Sequence, residues 1–308
     1  MDKISIITTF YNAERFIEKA LMSIASQEVD SKKFGYEYII VDDKSPDNSR
    51  TIVENFIKKY NINNLSPNIQ WKIVEPKHNL GCGGARRFGI QNATGDYFMF
   101  LDADDYYINK DFIRRAYTTI TSENADIVEY GVLYNQPDGR QQNNTSPQKI
   151  IIDHNKRLSQ IAIFKDNLIK FNVWSKIYKR WVVESYEYSD ERTFEDVRTI
   201  PNWVYNANKI VVMTTPEINY RAASDSIIRT DWNKTRLGTI SAIASHFEKF
   251  KDDPEILKVM YMRAMIDLEA VLNNHSSENE GFNEMSKLNT YMLKFIYPDS
   301  WKNKTYNI

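Results

Sequence analysis

Apolar positions in the first 135 residues alternate between short unbroken runs and longer stretches with helical spacing. Ile4 to Thr9 reads as a buried strand closed by the turn-former Asn12, and Ala13 to Gln27 places Phe16, Ile17, Ala20, Leu21 and Ile24 at helical intervals. Tyr36 to Asp42 is a second strand. Ser49 to Tyr60 is a second helix, with Ile52, Val53, Phe56 and Ile57 on one face. Ile69 to Val74 (strand), Gly84 to Asn92 (helix) and Tyr97 to Leu101 (strand) continue the alternation. Strands alternating with helices predict βαβ units and a mainly parallel sheet covered on both faces. Asp126 to Tyr134 adds a strand, Asn135 to Gln148 reads as a polar surface loop, and Lys209 to Thr214 is a late strand. From about Asp231 the pattern turns helical, over 235–250, 254–274 and 282–296, with breaks at Asp253-Pro254 and 273–281. The expected division is an α/β domain over 1–230 and a helical extension over 231–308, with no internal repeat or low-complexity tract.

Open parallel sheets bind ligands beyond the carboxyl ends of their strands. Those ends carry Thr9-Phe10-Tyr11-Asn12, Asp42-Asp43 and Asp102-Ala103-Asp104-Asp105, so the three clusters are expected at one rim. A rim with five aspartates calls for a cation or for hydrogen-bond donors.

Composition narrows the classes. Of 308 residues, 42% are hydrophobic and 26% charged, which excludes a disordered chain. Forty Lys and Arg against 41 Asp and Glu argue against binding nucleic acid by bulk charge, though a local basic groove stays open. Cys82 is the single cysteine, so a disulfide framework and a multi-cysteine zinc site are excluded, and the four histidines are scattered. No signal-peptide core and no apolar stretch of about 18 residues occurs, and a cytoplasmic location is expected. Aromatic residues reach 13%, more useful as core than as stacking platforms.

Three constellations carry chemistry. In LDADD (101–105), Asp102 and Asp104 are two apart and point the same way from an extended strand end. Oxygen-only ligands suit Mg²⁺ or Mn²⁺; solvated acids beside a helix start are the equal alternative. NLGCGGARR (79–87) combines three glycines with Arg86 and Arg87, a pattern suited to an anionic ligand, but it has neither P-loop nor GxGxxG spacing. Cys82 has no histidine partner spaced to activate it and reads as a bystander. In Thr193 to Arg198, Glu195 and Asp196 either open a helix or supply a general base toward a hydroxyl.

Taken in order, SIITTFYNAERFIEKALMSIASQ (5–27), IIVDDKSPDNS (39–49), NLGCGGARRFGI (79–90), GDYFMFLDADD (95–105), NVWSKIYKR (172–180), FEDV (194–197) and NYRAASDSI (219–227) resemble the family 2 glycosyltransferases of GT-A fold. The resemblance covers about three-quarters of the chain, roughly residues 4 to 228. It implies a metal-dependent, inverting enzyme that uses a nucleotide-sugar donor, with UDP the expected nucleotide and a hydroxyl acceptor. It further implies that Thr9, Phe10, Tyr11 and Glu14 hold the base and ribose, Asp43 accepts from the uracil N–H, and Arg86 lies beside the base. Asp102, Ala103 and Asp104 match the DXD motif at ribose, sugar and metal (Mn²⁺ or Mg²⁺), Asp104 the better metal ligand. Asp196 matches the catalytic base with Glu195 positioning it or the acceptor. Trp174 and Lys176 match the acceptor and pyrophosphate region, and Arg221 and Ser226 a loop that closes over the diphosphate. Two departures stand out: Arg87 occupies a position where the family often has Asn, and Thr9-Phe10 one where it often has Pro.

The acceptor is expected to be a bacterial surface glycan. Enzymes decorating hydroxylated bases of phage DNA are the alternative, since Lys176 to Trp181 interleaves basic and aromatic residues, although a strand or helix edge explains that stretch more simply. A non-catalytic nucleotide- or carbohydrate-binding module is a further alternative. A nucleotidyltransferase is disfavoured because Thr8 to Arg15 contains neither Gly nor Lys. The C-terminal helices, with Met260, Met262, Met265, Ile266, Leu268 and Leu272 expected as core, read as a lid, an acceptor contact or a homo-oligomer contact.

Overall fold

The computed structural model describes residues 1–62, 66–136, 138–222, 232–273 and 280–297. Contacts divide the chain into two compact units, residues 1–156 with 168–223, and residues 157–167 with 224–308.

The first unit is built on a ten-stranded mixed sheet. β1 (Asp2–Phe10), β2 (Phe34–Asp42), β3 (Ile69–Val74) and β4 (Tyr97–Phe100) run parallel in the order β3-β2-β1-β4. Every residue of β2 is buried, as expected of a strand covered on both faces and flanked by neighbours. The intervening helices are α1 (Ile17–Ala25), α2 (Ser49–Lys59) and α3 (Gly81–Gln91). α3 lies so close to the sheet that a Cβ on Gly89 would stand 2.6 Å from the Ile7 side chain. α1 begins four residues later than periodicity predicts, because Ala13 to Phe16 forms a turn in which the Phe16 and Ile17 N–H groups donate to the Ala13 carbonyl.

Beyond β4 the sheet changes character. β9 (Lys176–Lys179) enters antiparallel between β4 and β6 (Ile127–Asn135), and β10 (Lys209–Arg221) runs parallel to β6. The late strand is therefore much longer than the apolar run at its start. It continues through register shifts around Pro216, which cannot donate to the ladder. β5 (Tyr106–Tyr107) and β8 (Ile150–Asp153) pair with β10, and β7 (Gln141–Asn144) pairs with β6. β7 lies inside the stretch expected to be a loop; its side chains are largely exposed, so no hydrophobic alternation marks it. α4 (Phe112–Ser122), α6 (Arg180–Glu184) and α7 (Glu195–Asn206) complete this unit.

The second unit comprises most of α5 (Lys156–Phe164) with α8 (Trp232–Ala244), α9 (Pro254–Asn273) and α10 (Glu280–Ile296). Ile240, Ile243, Phe247, Leu257, Met260 and Leu268 are in its core. Met262, Met265 and Ile266 were expected there but are exposed, because the helical turn puts them opposite Leu257, Met260 and Ala264. No helix among the described residues is long and apolar enough to cross a membrane.

Candidate active site

The parallel strands bring the predicted clusters to one rim. Phe10 is in register with Asp42, the Asp43 N–H donates to the Phe10 carbonyl (3.0 Å), and the Leu101 N–H donates to the Ile7 carbonyl (3.0 Å). The five aspartates then divide by partner. Asp42 is buried, accepting from the Ser45 N–H and pairing with Arg50. Asp43 is buried too, accepting from the Leu80 N–H (2.7 Å), the Gly81 N–H (2.9 Å) and the Asn79 amide (3.0 Å). Burial raises its carboxyl despite these donors. Asp43 thus anchors the turn into α3, where Gly81 adopts φ +76°, a conformation only glycine takes without strain. Thr9 is half-buried, Phe10 buried and Tyr11 exposed. Glu14 ties this loop to the next by accepting from the Asn48 backbone and side-chain N–H groups (3.1 and 3.0 Å).

Asp102 and Asp104 keep exposed faces, and each already holds a cation. Asp102 pairs with Arg86 at 2.5 Å and Asp104 with Arg221 at 3.1 Å. Burial first, and then Asp102, push the Asp104 carboxyl upward against the pull of Arg221. Ala103 between them is buried. Asp105 is buried and accepts from the Arg221 backbone N–H at 2.9 Å, pinning the end of β10 beside the two acids. Among the described residues no group of three or more His, Cys, Asp or Glu side chains is placed to enclose a metal ion. Two carboxylates with exposed faces fit a hard divalent cation that takes its remaining ligands from water and phosphate, and the guanidinium against Asp104 shows that a cation seats there.

Arg86 is where the site joins. Its buried guanidinium spans from Asp102 to Glu195, with Tyr188 Oη at 3.4 Å. Sequence reasoning put Arg86 beside the nucleotide base; its placement between the two acid clusters had no signal in the motif alone. The glycines before it serve the chain's own packing. A Cβ on Gly83 would meet the Glu191 and Ser189 carbonyls at 2.3 and 2.5 Å and the Glu195 Cβ at 2.9 Å, and the Gly83 N–H donates to the Glu191 carbonyl. Arg87 pairs with Glu187 and Asp190 along the same seam. Cys82 lies in it as well. Burial drives its thiol well above the ordinary range, Arg86 pulls the other way, and Glu195 and Asp102 push it further up.

Helix α7 starts at this seam. Phe194, just before it, has φ +61°, unusual for a bulky side chain and costing roughly 1–3 kcal/mol. That bend delivers Glu195 and Asp196 as the first turn of α7, where free N–H groups favour negative charge. Burial, with Glu195 beside it, pushes the Asp196 carboxyl up to about 7 against Arg86.

Trp174 and Lys176 part company. Trp174 stacks on Tyr220 (centroids 5.3 Å apart, 7° between planes), and Tyr220 stands close enough to Asp102, Asp104 and Asp105 for them to raise its hydroxyl, after burial. Lys176 is fully buried. Its ammonium lies 3.2 Å from Glu129, which also binds the Lys170 ammonium (3.1 Å), and burial lowers Lys176 to about 8. The Lys176 to Trp181 stretch is therefore β9 running into α6: Ile177 and Tyr178 are core, Lys179 pairs with Asp126 and Arg180 with Glu184. Of its aromatic side chains, Tyr178 is buried and Trp181 exposed. Ser226 lies outside the described residues.

Comparison with known proteins agrees with this architecture. The chain is 24% identical to glycosyltransferase GlyG of Streptococcus pneumoniae serotype 4, over 97% of this chain and 98% of GlyG. It is 27% identical to the poly(ribitol-phosphate) beta-N-acetylglucosaminyltransferase TarS of Staphylococcus aureus over 71% of this chain, which spans 35% of TarS. Its fold matches the crystal structure of TarS residues 1–349 in complex with UDP (TM-score 0.59, 19% identity, 99% and 93% of the two chains). It also matches the Pyrobaculum calidifontis mannosyltransferase PcManGT in complex with GDP-Man and Mn²⁺ (TM-score 0.56, 16% identity, 98% and 88%). The profile of glycosyl transferase family 2 matches residues 5–178, from β1 through the aspartate rim and Arg86 to β9, and the chain belongs to that family and is a glycosyltransferase.

Proposed function

We propose that the chain is a metal-dependent inverting glycosyltransferase that moves a sugar from a UDP-sugar to a hydroxyl of a bacterial surface glycan. The observation that carries the chemistry is Asp196, half-buried at the start of α7 with its carboxyl raised to about 7. A general base works best when its pKa is close to the operating pH. Ionised, Asp196 takes the proton of the acceptor hydroxyl as that oxygen attacks the anomeric carbon; the bond to the diphosphate oxygen breaks on the opposite face. One base and one displacement invert the anomeric centre. Glu195, fixed by Arg86, orients the acceptor beside Asp196. Asp104 and Asp102 would hold Mn²⁺ or Mg²⁺, whose contribution is to offset the charge on the diphosphate. Arg221, between Asp104 and Asp105, meets the diphosphate from the other side. The UDP and UDP-GlcNAc complexes of TarS support the donor, and the poly(ribitol-phosphate) in that relative's name supports the acceptor class.

The test is diphosphate release from a panel of nucleotide sugars, with Mn²⁺, against poly(ribitol phosphate) and other surface glycans. Asp196→Asn is expected to lower kcat by roughly 10²–10⁴-fold while leaving donor binding intact. Unchanged turnover in that variant removes Asp196 as the base, and binding of donors without turnover by the wild type makes the chain a binding module.

A further inference from the structure

Phe16 is at odds with its local position. It is the N-cap of α1, a position usually filled by Ser, Thr, Asp or Asn, and its side chain accepts no hydrogen bond from the first turn. A residue that breaks a local rule at the rim of a site points to a use elsewhere. The ring is half-buried, and the Arg221 guanidinium lies over it 3.7 Å from the centroid; the Arg15 guanidinium is further off at 5.4 Å. Arg221 is thereby held at three points by two separate pieces of chain, the loop after β1 and the Asp104-Asp105 turn after β4. The Phe16 ring takes its face, Asp104 takes one Nη at 3.1 Å, and Asp105 takes its backbone N–H at 2.9 Å. Asp104 also belongs to the cation seat, so its hold on Arg221 competes with a metal, whereas the ring makes no such competing contact. The contact joins the loop after β1 to the end of β10, elements far apart in sequence.

We propose that Phe16 is a positioning residue for the donor diphosphate, acting through Arg221 by fixing the plane of its guanidinium. The assignment rests on the reading of Arg221 as a diphosphate ligand. A ring face attracts a guanidinium electrostatically, which an aliphatic side chain of similar bulk does not do.

Calorimetric titration of the wild type, Phe16→Leu and Phe16→Tyr with UDP and GDP, each with Mn²⁺, tests it; uridine and guanosine, followed by NMR, serve as probes without a diphosphate. Phe16→Leu is expected to bind the diphosphate about fivefold more weakly, with nucleoside binding unchanged, and Phe16→Tyr to restore the affinity. In an Arg221→Ala background, Phe16→Leu should add no further loss. Diphosphate affinity unchanged by Phe16→Leu, an equal loss for the nucleoside, or an undiminished loss in the Arg221→Ala background overturns the assignment. A wild type that binds neither diphosphate overturns the donor reading itself, and Phe16 with it.

Discussion

Asp196 and Asp43 are both carboxyls raised by burial at one rim, and their surroundings separate their roles. Asp43 accepts three hydrogen bonds from the turn at 79–81 and holds that turn in place. Asp196 accepts only a local bond from the Val197 N–H among those the structure places on its carboxylate, and it has Glu195 as a neighbour. Because its pKa is raised to about 7, Asp196 is protonated below that pH and active as a base above it. The kcat/KM profile is therefore expected to rise with pH through an acid limb near 7. Arg86 opposes the rise, so Arg86→Gln should move that limb to higher pH; a limb that stays in place would show that the limb does not belong to Asp196.

At the scale of elements, β9 carries an unusual load for a four-residue strand. Lys176 lies opposite Glu129 of β6, and with Lys170 it forms a buried cluster of two ammonium groups around one carboxylate. Glu129→Gln would leave two buried cations without a counter-charge, and removing one partner of a buried pair typically costs about 3–5 kcal/mol. Urea denaturation should show that loss, and a variant as stable as wild type would mean the cluster is solvated or discharged. This cluster also marks the limit of reading the chain. Ile4, Ile6, Ile7 and the run Tyr38 to Val41 announce parallel strands because burial on both faces leaves continuous apolar runs. Lys176 gave no sign of its burial, because a buried lysine looks like a surface one until its partner is placed, and Glu129 is 47 residues away in sequence. The acid clusters were legible from strand ends and Arg86 from its glycine-rich motif; the link from Arg86 to Glu195, and the places of Tyr188 and Tyr220, were not, since they come from chain segments more than a hundred residues apart or across the sheet. β7 was hidden for the opposite reason, an edge strand with exposed polar side chains on both faces.

On the scale of the whole molecule, net charge near zero conceals a strongly organised interior. Acids and arginines alternate through the site as Asp102–Arg86–Glu195 and Asp104–Arg221, so the rim is neutralised from within. The seam between 79–87 and 187–195 also holds the molecule's only thiol. Alkylating reagents attack the thiolate; Cys82 is half-buried, and desolvation raises its thiol and disfavours that form. Native protein should therefore react with iodoacetamide far more slowly than the same chain in urea, and saturating UDP with Mn²⁺ should slow it again. A native rate equal to that of an unfolded thiol would contradict the raised thiol. The residue with no part in catalysis thus becomes a built-in reporter: one covalent label, counted by mass spectrometry in unmodified protein, registers whether a ligand has covered the seam beside the active site.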